Sequence, residues 1–228
     1  MRKRFKQPLT VDWHCHVLPN MDDGAKQVNI SLQMLQRLSE QGIELVTATP
    51  HYHAHHESIA AFLDRRACAF AVLQHAMEGR ENLPRLQLSA EIRIERGISC
   101  LPLEELSTPG GVLLLELPFE KCKPWMLREL ENVCYGTELT PMLAHVERYL
   151  PYLSETDFAE LLSLDGLIFQ INADAVQHGK SKRLIAKLRK KGVPIAVGSD
   201  AHNMDCRPPA LRAMQSYVMR HKIPLFSV

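Results

Sequence analysis

Two stretches near opposite ends of the chain run from apolar residues straight into pairs of potential metal ligands. Leu9-Thr10-Val11-Asp12-Trp13 leads into His14-Cys15-His16, and Pro194-Ile195-Ala196-Val197-Gly198-Ser199 leads into Asp200-Ala201-His202. Side chains two apart on a strand share a face, so each pair points one way. A buried strand has no use for a lone charge at its exit, because an unpaired buried charge is costly. A metal site does have a use for one. Comparable residues recur along the chain. His51 follows segment 45–50, Glu91 follows 86–90, Glu116 follows 112–115 and His145 follows 140–144; Asp23 sits in the loop after the first strand, with Asp22 as its alternative. Taken singly, each reads as a solvated residue or a helix cap. Together, His14, His16, Asp23, His51, Glu91, Glu116, His145, Asp200 and His202 occupy six of seven strand ends. That number exceeds what capping explains and what one ion needs, so two or three divalent ions are inferred. Imidazole and carboxylate donors without thiolate suit Mn, Fe or Zn rather than a structural cysteine–zinc site. Clustered ions of this kind suit hydrolysis by in-line displacement. Arg148, three residues after His145, and Arg207, five after His202, fall on the same loops, where a guanidinium fork suits a phosphate. Arg93, two after Glu91, is a weaker third candidate.

The elements that must position these residues alternate throughout. Strand-like segments are expected at about 9–16, 45–50, 86–90, 112–115, 140–144, 167–171 and 194–198. Between them, apolar residues at spacings of three and four mark helices near 30–38, 58–77, 124–135 and 180–191, with a short helix near 98–105 and a final one after Pro208-Pro209. Gly42 and Gly192 close two of the helices, Pro124 opens a third, and Ser154-x-x-Asp157 reads as a capping box. Near-continuous apolar strands alternating with helices imply parallel strands covered by helices. In a parallel barrel, functional residues gather at the C-terminal strand ends. A doubly wound sheet would not bring nearly every strand end to one point, so a β/α barrel is expected.

Composition is that of one ordinary globular domain: 228 residues, 46% hydrophobic, 23% charged, net charge +1. Nothing in it calls for nucleic acid or membrane as the main partner. No apolar run approaches the roughly 20 residues that span a bilayer. The basic start, residues 1–8, lacks the apolar core of a signal peptide and reads as a frayed extension. Six scattered cysteines, none in a C-x-x-C pair, read as reduced thiols of a cytoplasmic protein.

These residues carry a specific resemblance. His14-Cys15-His16, Leu18-Pro19-Asn20-Met21-Asp22-Asp23-Gly24-Ala25, Ala48-Thr49-Pro50-His51, Glu91-Ile92-Arg93, Glu116-Leu117-Pro118, His145-Val146-Glu147-Arg148 and Ser199-Asp200-Ala201-His202-Asn203 resemble, in order and over nearly the whole chain, the PHP (polymerase and histidinol phosphatase) superfamily. Within it, the N-terminal motif is similar to the bacterial manganese-dependent protein-tyrosine phosphatases of capsule and exopolysaccharide operons. The resemblance implies a single PHP phosphatase domain over residues 1–228, built as a distorted seven-stranded β/α (TIM-like) barrel. It also implies a trinuclear centre of Mn, with Fe or Zn as alternatives, held by the nine ligands above. Arg148 and Arg207 would bind phosphate; for an acid, the residues themselves leave a metal-held water, Asp200 and a loop histidine all open. The implied activity is phosphotyrosine hydrolysis on a partner tyrosine autokinase, which would regulate capsule or exopolysaccharide synthesis. Val146 stands where relatives usually have proline, the N-terminus runs further ahead of the first strand, and the chain stops soon after the last helix where relatives often continue. His53, His55 and His56 form a denser group than the family pattern requires.

Two rival readings stay inside the same fold: a small-molecule phosphatase acting on a histidinol-phosphate-like alkyl ester, and a non-hydrolytic, metal-stabilised module that binds a partner. Filled ligand positions argue against the second. The chain also contains two C-x5-R matches, Cys122 to Arg128 and Cys206 to Arg212. A cysteine phosphatase needs a phosphate loop of backbone N–H groups. The intervening residues contain no glycine, and their prolines remove donors, so both matches read as decoys.

Overall fold

The computed structural model describes residues 9–226; the basic extension expected at residues 1–8 lies outside the described residues. Among the described residues, nine strands and six α-helices alternate in an α/β arrangement in which every strand pair is parallel. The strands are β1 (Val11–Cys15), β2 (Leu45–Ala48), β3 (His51–Tyr52), β4 (Arg85–Leu88), β5 (Glu91–Arg93), β6 (Val112–Glu116), β7 (Thr140–Leu143), β8 (Ile168–Asn172) and β9 (Ile195–Gly198). The helices are α1 (Val28–Ser39), α2 (Ile59–Met77), α3 (Pro124–Gly136), α4 (Glu155–Leu161), α5 (Gly179–Lys190) and α6 (Arg212–His221). Where a single short helix is expected near 98–105, two 3-10 turns form instead, Ile98–Cys100 and Leu103–Leu106.

Local chemistry accounts for the helices. Met34, Leu35 and Leu38 make the buried stripe of α1, and Gly42, at φ +81°, takes the chain out of it. The Ser58 side chain caps α2 by accepting from Ala61 N–H. Pro124 occupies the first turn of α3, and Ser154 with Asp157 forms a full reciprocal capping box on α4.

Ladders define two sheets, β1-β2-β4 and β3-β5-β6-β7-β8-β9. The segments expected as the second and third strands, 45–50 and 86–90, each end two residues early and are followed by a short strand not expected from sequence. Thr49-Pro50 separates β2 from β3, and Ser89-Ala90 separates β4 from β5, so each course passes from one sheet into the other. Pro50 has no N–H to continue the ladder. Glu91 N–H donates to Pro50 C=O at 3.0 Å and Ser89 N–H to Ala48 C=O at 2.9 Å, so the two courses stay side by side across the break. At the other edge β1 meets the exit of β9: Asp200 N–H donates to His14 C=O at 2.8 Å, and His16 N–H to Ala201 C=O at 2.9 Å. First and last strands are therefore neighbours, which brings the two ligand pairs together.

The strands bury both faces. Leu113 and Leu115 join the large core, whereas Val112 and Leu114 join a second cluster with Trp13, Met142, Ile168 and Ala196. Alternation along β6 thus sends Glu116 out on the face of the second cluster, just past its apolar residues. No helix among the described residues is long and apolar enough to cross a membrane.

Candidate metal centre

The nine side chains singled out by sequence converge at the strand exits. Local backbone devices aim them. The β1–β2 register shifts between Asp12 and Cys15, which breaks simple alternation just where His14 stands. Asp12, fully buried, accepts from Ser199 N–H at 2.8 Å and from His14 N–H at 3.2 Å, tying the exits of β1 and β9 together. Burial pushes the Asp12 carboxyl up to about 6 despite these bonds. Gly198 lies flush against the site, because a Cβ there would come 2.5 Å from the His14 Cβ and 2.8 Å from Gln170 Nε2. His145 and Asp200 both adopt positive φ, at 29° and 50°. Non-glycine residues pay for that conformation, and such strain collects at functional sites.

A chain of hydrogen bonds sets the tautomer of His14. The Asp200 carboxylate can only accept, so the Asn172 amide N–H faces it, 2.9 Å away. Asn172 Oδ1 then accepts from Gln170 Nε2 at 3.0 Å, which turns Gln170 Oε1 towards two donors: His145 N–H at 2.7 Å and His14 Nδ1 at 3.1 Å. His14 therefore carries its proton on Nδ1 and presents a bare Nε2. Asp22 does the same for His16, taking Nδ1–H at 2.8 Å, while Asp200 C=O takes His202 Nδ1–H at 3.0 Å. These outer partners orient imidazoles as they do around bound metals.

The bare nitrogens face one another. His14 Nε2 and His16 Nε2 are 3.0 Å apart, with Glu91 Oε2 at 3.2 and 3.3 Å and Asp200 Oδ1 at 3.6 and 3.5 Å. Two lone pairs and two carboxylate oxygens thus meet with no donor between them. A metal ion, or protons in its place, reconciles such a set. A second group is His16, Asp23, His51 and His202, where His51 Nε2 and His202 Nε2 each lie 3.3 Å from Asp23 Oδ1. His202 Nε2 is buried without a hydrogen-bond partner. A third is His51, Glu91 and Glu116; His145 Nε2 adjoins it, 2.8 Å from Glu91 Oε1 and 3.6 Å from Glu116 Oε1. Within His14–His16–Glu91, within His16–Asp23–His51–His202 and within His51–Glu91–Glu116, the ligand atoms lie within 4.8 Å of one another. The donor set and its orphaned nitrogens fit a cluster of divalent ions.

Titration behaviour points the same way. Burial would push Glu91 and Asp200 up, but the imidazoles, His14 foremost, hold both carboxyls well below the usual range. Burial would push His16 and His145 down. Asp22 and other acids nevertheless raise His16 well above its ordinary value, and Glu116 and Glu91 raise His145 to about 9. His202 is the exception: burial and the nearby His16 bring it down to about 4. The cluster is acidic enough to demand positive charge, which protons supply when metal does not.

Arg148 and Arg207 stand at the mouth, 42% and 39% exposed, and both grip Asp200: Arg148 Nη1 donates to Oδ2 at 3.2 Å and Arg207 Nη2 to Oδ1 at 2.7 Å. The Phe119 ring stacks on His145 at 5.5 Å and carries the Arg148 guanidinium 4.4 Å from its centroid. Arg93 is half-buried and joins none of these groups.

The open choice between Asp22 and Asp23 divides into two roles. Asp22 is buried behind His16 and also accepts from Gly24 N–H at 2.8 Å and His51 N–H at 3.0 Å, whereas Asp23 is 63% exposed and faces His51 and His202. Sequence reasoning missed Asp12, Gln170 and Asn172. The available signal was a polar residue inside an otherwise apolar strand, twice at i, i+2. Of the two C-x5-R decoys, burial pushes the Cys122 thiol up to about 11, away from the thiolate a nucleophile needs, and Cys206 is exposed on a bend.

Comparison with known proteins gives a consistent picture. The sequence model of a family described as Capsular polysaccharide synthesis, CpsB/CapC, matches residues 10–223. The chain is similar to the tyrosine-protein phosphatase CpsB of Streptococcus agalactiae, 23% identical over 222 residues and covering 92% of this chain and 90% of that protein. It is 28% identical over 211 residues to the tyrosine-protein phosphatase YwqE of Bacillus subtilis, covering 86% and 79%. In fold it resembles a chain from the crystal structures of YwqE from Bacillus subtilis and CpsB from Streptococcus pneumoniae, described as metal-dependent tyrosine phosphatases. The TM-score is 0.71 at 23% identity, over 93% of this chain and 86% of that one.

Proposed function

The chain belongs to the capsular polysaccharide synthesis CpsB/CapC family, and from that premise we propose that it is a metal-dependent phosphoric monoester hydrolase that dephosphorylates phosphotyrosine. The observation that carries this reading is the meeting of bare His14 and His16 nitrogens with Glu91 and Asp200, directly beneath two arginines. His14, His16, Asp23, His51, Glu91, Glu116, His145, Asp200 and His202 are the ligands in this account, and the ions are Mn, two or three in number, with Fe or Zn able to replace it. Bound divalent ions would supply Lewis-acid charge and lower the pKa of water, making hydroxide available as the nucleophile near neutral pH.

The chain's own side chains do the rest. Arg148 and Arg207 release part of their hold on Asp200 and turn their forks to the phosphate, fixing its orientation and offsetting its charge. Gln170, Asn172, Asp12 and Asp22 keep the imidazoles aimed inward. The leaving phenol has a pKa of about 10, so it needs less protonation than an alkyl alcohol. Asp200, gripped by both arginines and with its carboxyl held well below the usual range, acts there as an ionised ligand and anchor, and any protonation of the phenol falls to water. The substrate is a phosphotyrosine-bearing segment of a tyrosine kinase whose state regulates capsule or exopolysaccharide synthesis, and the setting is the cytoplasm.

The same reading extends to architecture: seven strand courses, counting β2–β3 and β4–β5 once each, rolled into a distorted TIM-like barrel. The bonds joining β9 to β1 and the separate inner cluster around Trp13 support it. Comparing turnover of a phosphotyrosyl peptide with that of histidinol phosphate tests the function. Faster turnover of the peptide is expected. A clear preference for the alkyl ester would hand the site to small-molecule chemistry, and no hydrolysis of either with Mn present would leave only a binding module.

A further inference from the structure

The turn after β3 holds a second group of imidazoles that phosphotyrosine hydrolysis does not use. His53 C=O accepts from His56 N–H at 3.0 Å and Glu57 N–H at 3.3 Å, which folds residues 53–57 into one tight turn. The rings of His53, His55 and His56 are thereby gathered: 6.1 Å between the centres of His53 and His55, 4.2 Å between His55 and His56, and 5.1 Å between His53 and His56, whose planes stack. His53 and His55 face Glu95, two residues beyond β5, and His56 packs against both of their rings. His55 Nδ1 lies 2.5 Å from Glu95 Oε1 and His53 Nδ1 3.8 Å from it, while Glu95 Oε2 accepts from His55 N–H at 3.1 Å. Glu95 Oε1 is buried, yet no donor is aligned with it as a hydrogen bond.

We propose that His53, His55, His56 and Glu95 form a separate binding site for one late first-row divalent ion of the zinc type. Three imidazoles and one carboxylate are the donors such ions prefer; Mg and Ca prefer sites built mainly from oxygen. Glu95 has no arginine or lysine within ion-pair distance among the described residues, and the neighbouring Glu57 is already taken by Arg65 at 2.7 Å. The buried carboxylate oxygen and the half-buried His53 supply the fixed half of the site. His55, 62% exposed, and the exposed His56 supply the adjustable half, because their rings turn without disturbing the core. None of the four belongs to the groups that make up the main centre, and their ligand atoms come within reach of one ion only when the exposed rings turn. The His53 ring nevertheless lies 5.9 Å from that of His51, so an ion held here stands at the entrance to the centre. The two sites differ in kind: the main centre mixes several carboxylates with its imidazoles, and the outer one is dominated by nitrogen. The outer site does not depend on the identity of the substrate.

The test counts ions. Metal-stripped full-length protein is equilibrated with excess zinc, desalted and assayed for zinc per chain by elemental mass spectrometry, alongside H55A/H56A and Glu95→Gln treated the same way. The wild type is expected to retain one zinc more per chain than H55A/H56A, and Glu95→Gln is expected to lose the same equivalent. With Mn as the only metal, hydrolysis by H55A/H56A is expected to stay within about twofold of wild type, since neither residue touches the centre. Both exchanged histidines of H55A/H56A are exposed, so that variant folds and decides the matter alone. Equal zinc content in wild type and H55A/H56A overturns the proposal.

Discussion

Replacing Gln170 by leucine isolates the claim that a hydrogen-bond chain, and not the ligands alone, makes this a metal site. The Gln170 Oε1 accepts from His145 N–H at 2.7 Å and from His14 Nδ1 at 3.1 Å, and both donors are buried. Leucine offers neither an acceptor. Each stranded buried donor costs about 1–3 kcal/mol, so the pair costs about 2–6 kcal/mol, against a typical total stability of about 5–15 kcal/mol. His14 can escape part of this by moving its proton to Nε2, which then points into the cluster and can no longer bind metal. Loss of such an outer partner typically weakens metal affinity about 10–100-fold. The assay is a Mn titration of phosphotyrosyl-peptide hydrolysis, paired with a thermal melt in chelator. Gln170→Leu is expected to need about 10–100 times more Mn for half-maximal activity and to melt earlier, with much of the turnover recovered at saturating Mn. Gln170→Glu keeps an acceptor for both donors and is expected to lie closer to wild type in its Mn requirement. A wild-type Mn requirement and melting temperature in Gln170→Leu would refute the reasoning.

Three further outcomes follow from the same geometry. Arg148→Ala and Arg207→Ala each remove a charged hydrogen-bond donor worth about 1.5–3 kcal/mol, so each is expected to lower kcat/KM about 10–100-fold while leaving the Mn content unchanged; lost Mn would make them structural residues instead. Phe119→Leu removes the ring under the Arg148 guanidinium, a contact worth about 0.5–1 kcal/mol. A rise in KM of about two- to fivefold, restored by Phe119→Tyr, is expected in steady-state kinetics. For pH, the sign follows from His16, whose proton affinity in the folded, metal-free protein is raised above its unfolded value by Asp22, Asp200 and Glu91. That proton stabilises the metal-free fold below the ordinary histidine range and is lost only as pH rises through the raised value. Metal must displace it, so Mn affinity is expected to strengthen by about tenfold per pH unit from 6 to 8 for each proton released; an affinity independent of pH would contradict this.

Much of the candidate site was readable in the chain because its proposed ligands stand at the exits of apolar runs, where a polar residue is conspicuous. His51, Glu91, Glu116 and His145 each end such a run, and the structure gathers all four with His14, His16, Asp23, Asp200 and His202. The helices were legible for local reasons: a serine cap for α2, a capping box for α4 and a stripe of apolar residues for α1. Tertiary features were not. Thr49-Pro50 and Ser89-Ala90 read as strand ends, yet beyond each the chain resumes in the other sheet; the missing N–H of Pro50 signals the first break, and nothing in Ser89-Ala90 signals the second. Asp22 and Asp23 are adjacent, and only the folding of their loop around Gly24, whose Cβ position would fall 2.5 Å from the His16 Cβ, separates positioning from facing the cluster. Asp12, Gln170 and Asn172 were overlooked because their partners lie up to 187 positions away in sequence.

The central claim is that this constellation hydrolyses phosphotyrosine with divalent metal and without a cysteine nucleophile. The most direct measurement is release of phosphate from a phosphotyrosyl peptide by protein stripped with chelator, before and after Mn is returned. The account predicts activity abolished by stripping, restored by Mn, and retained in a Cys122→Ser/Cys206→Ser variant. Full activity after complete removal of metal, or its loss in the cysteine variant, would contradict it.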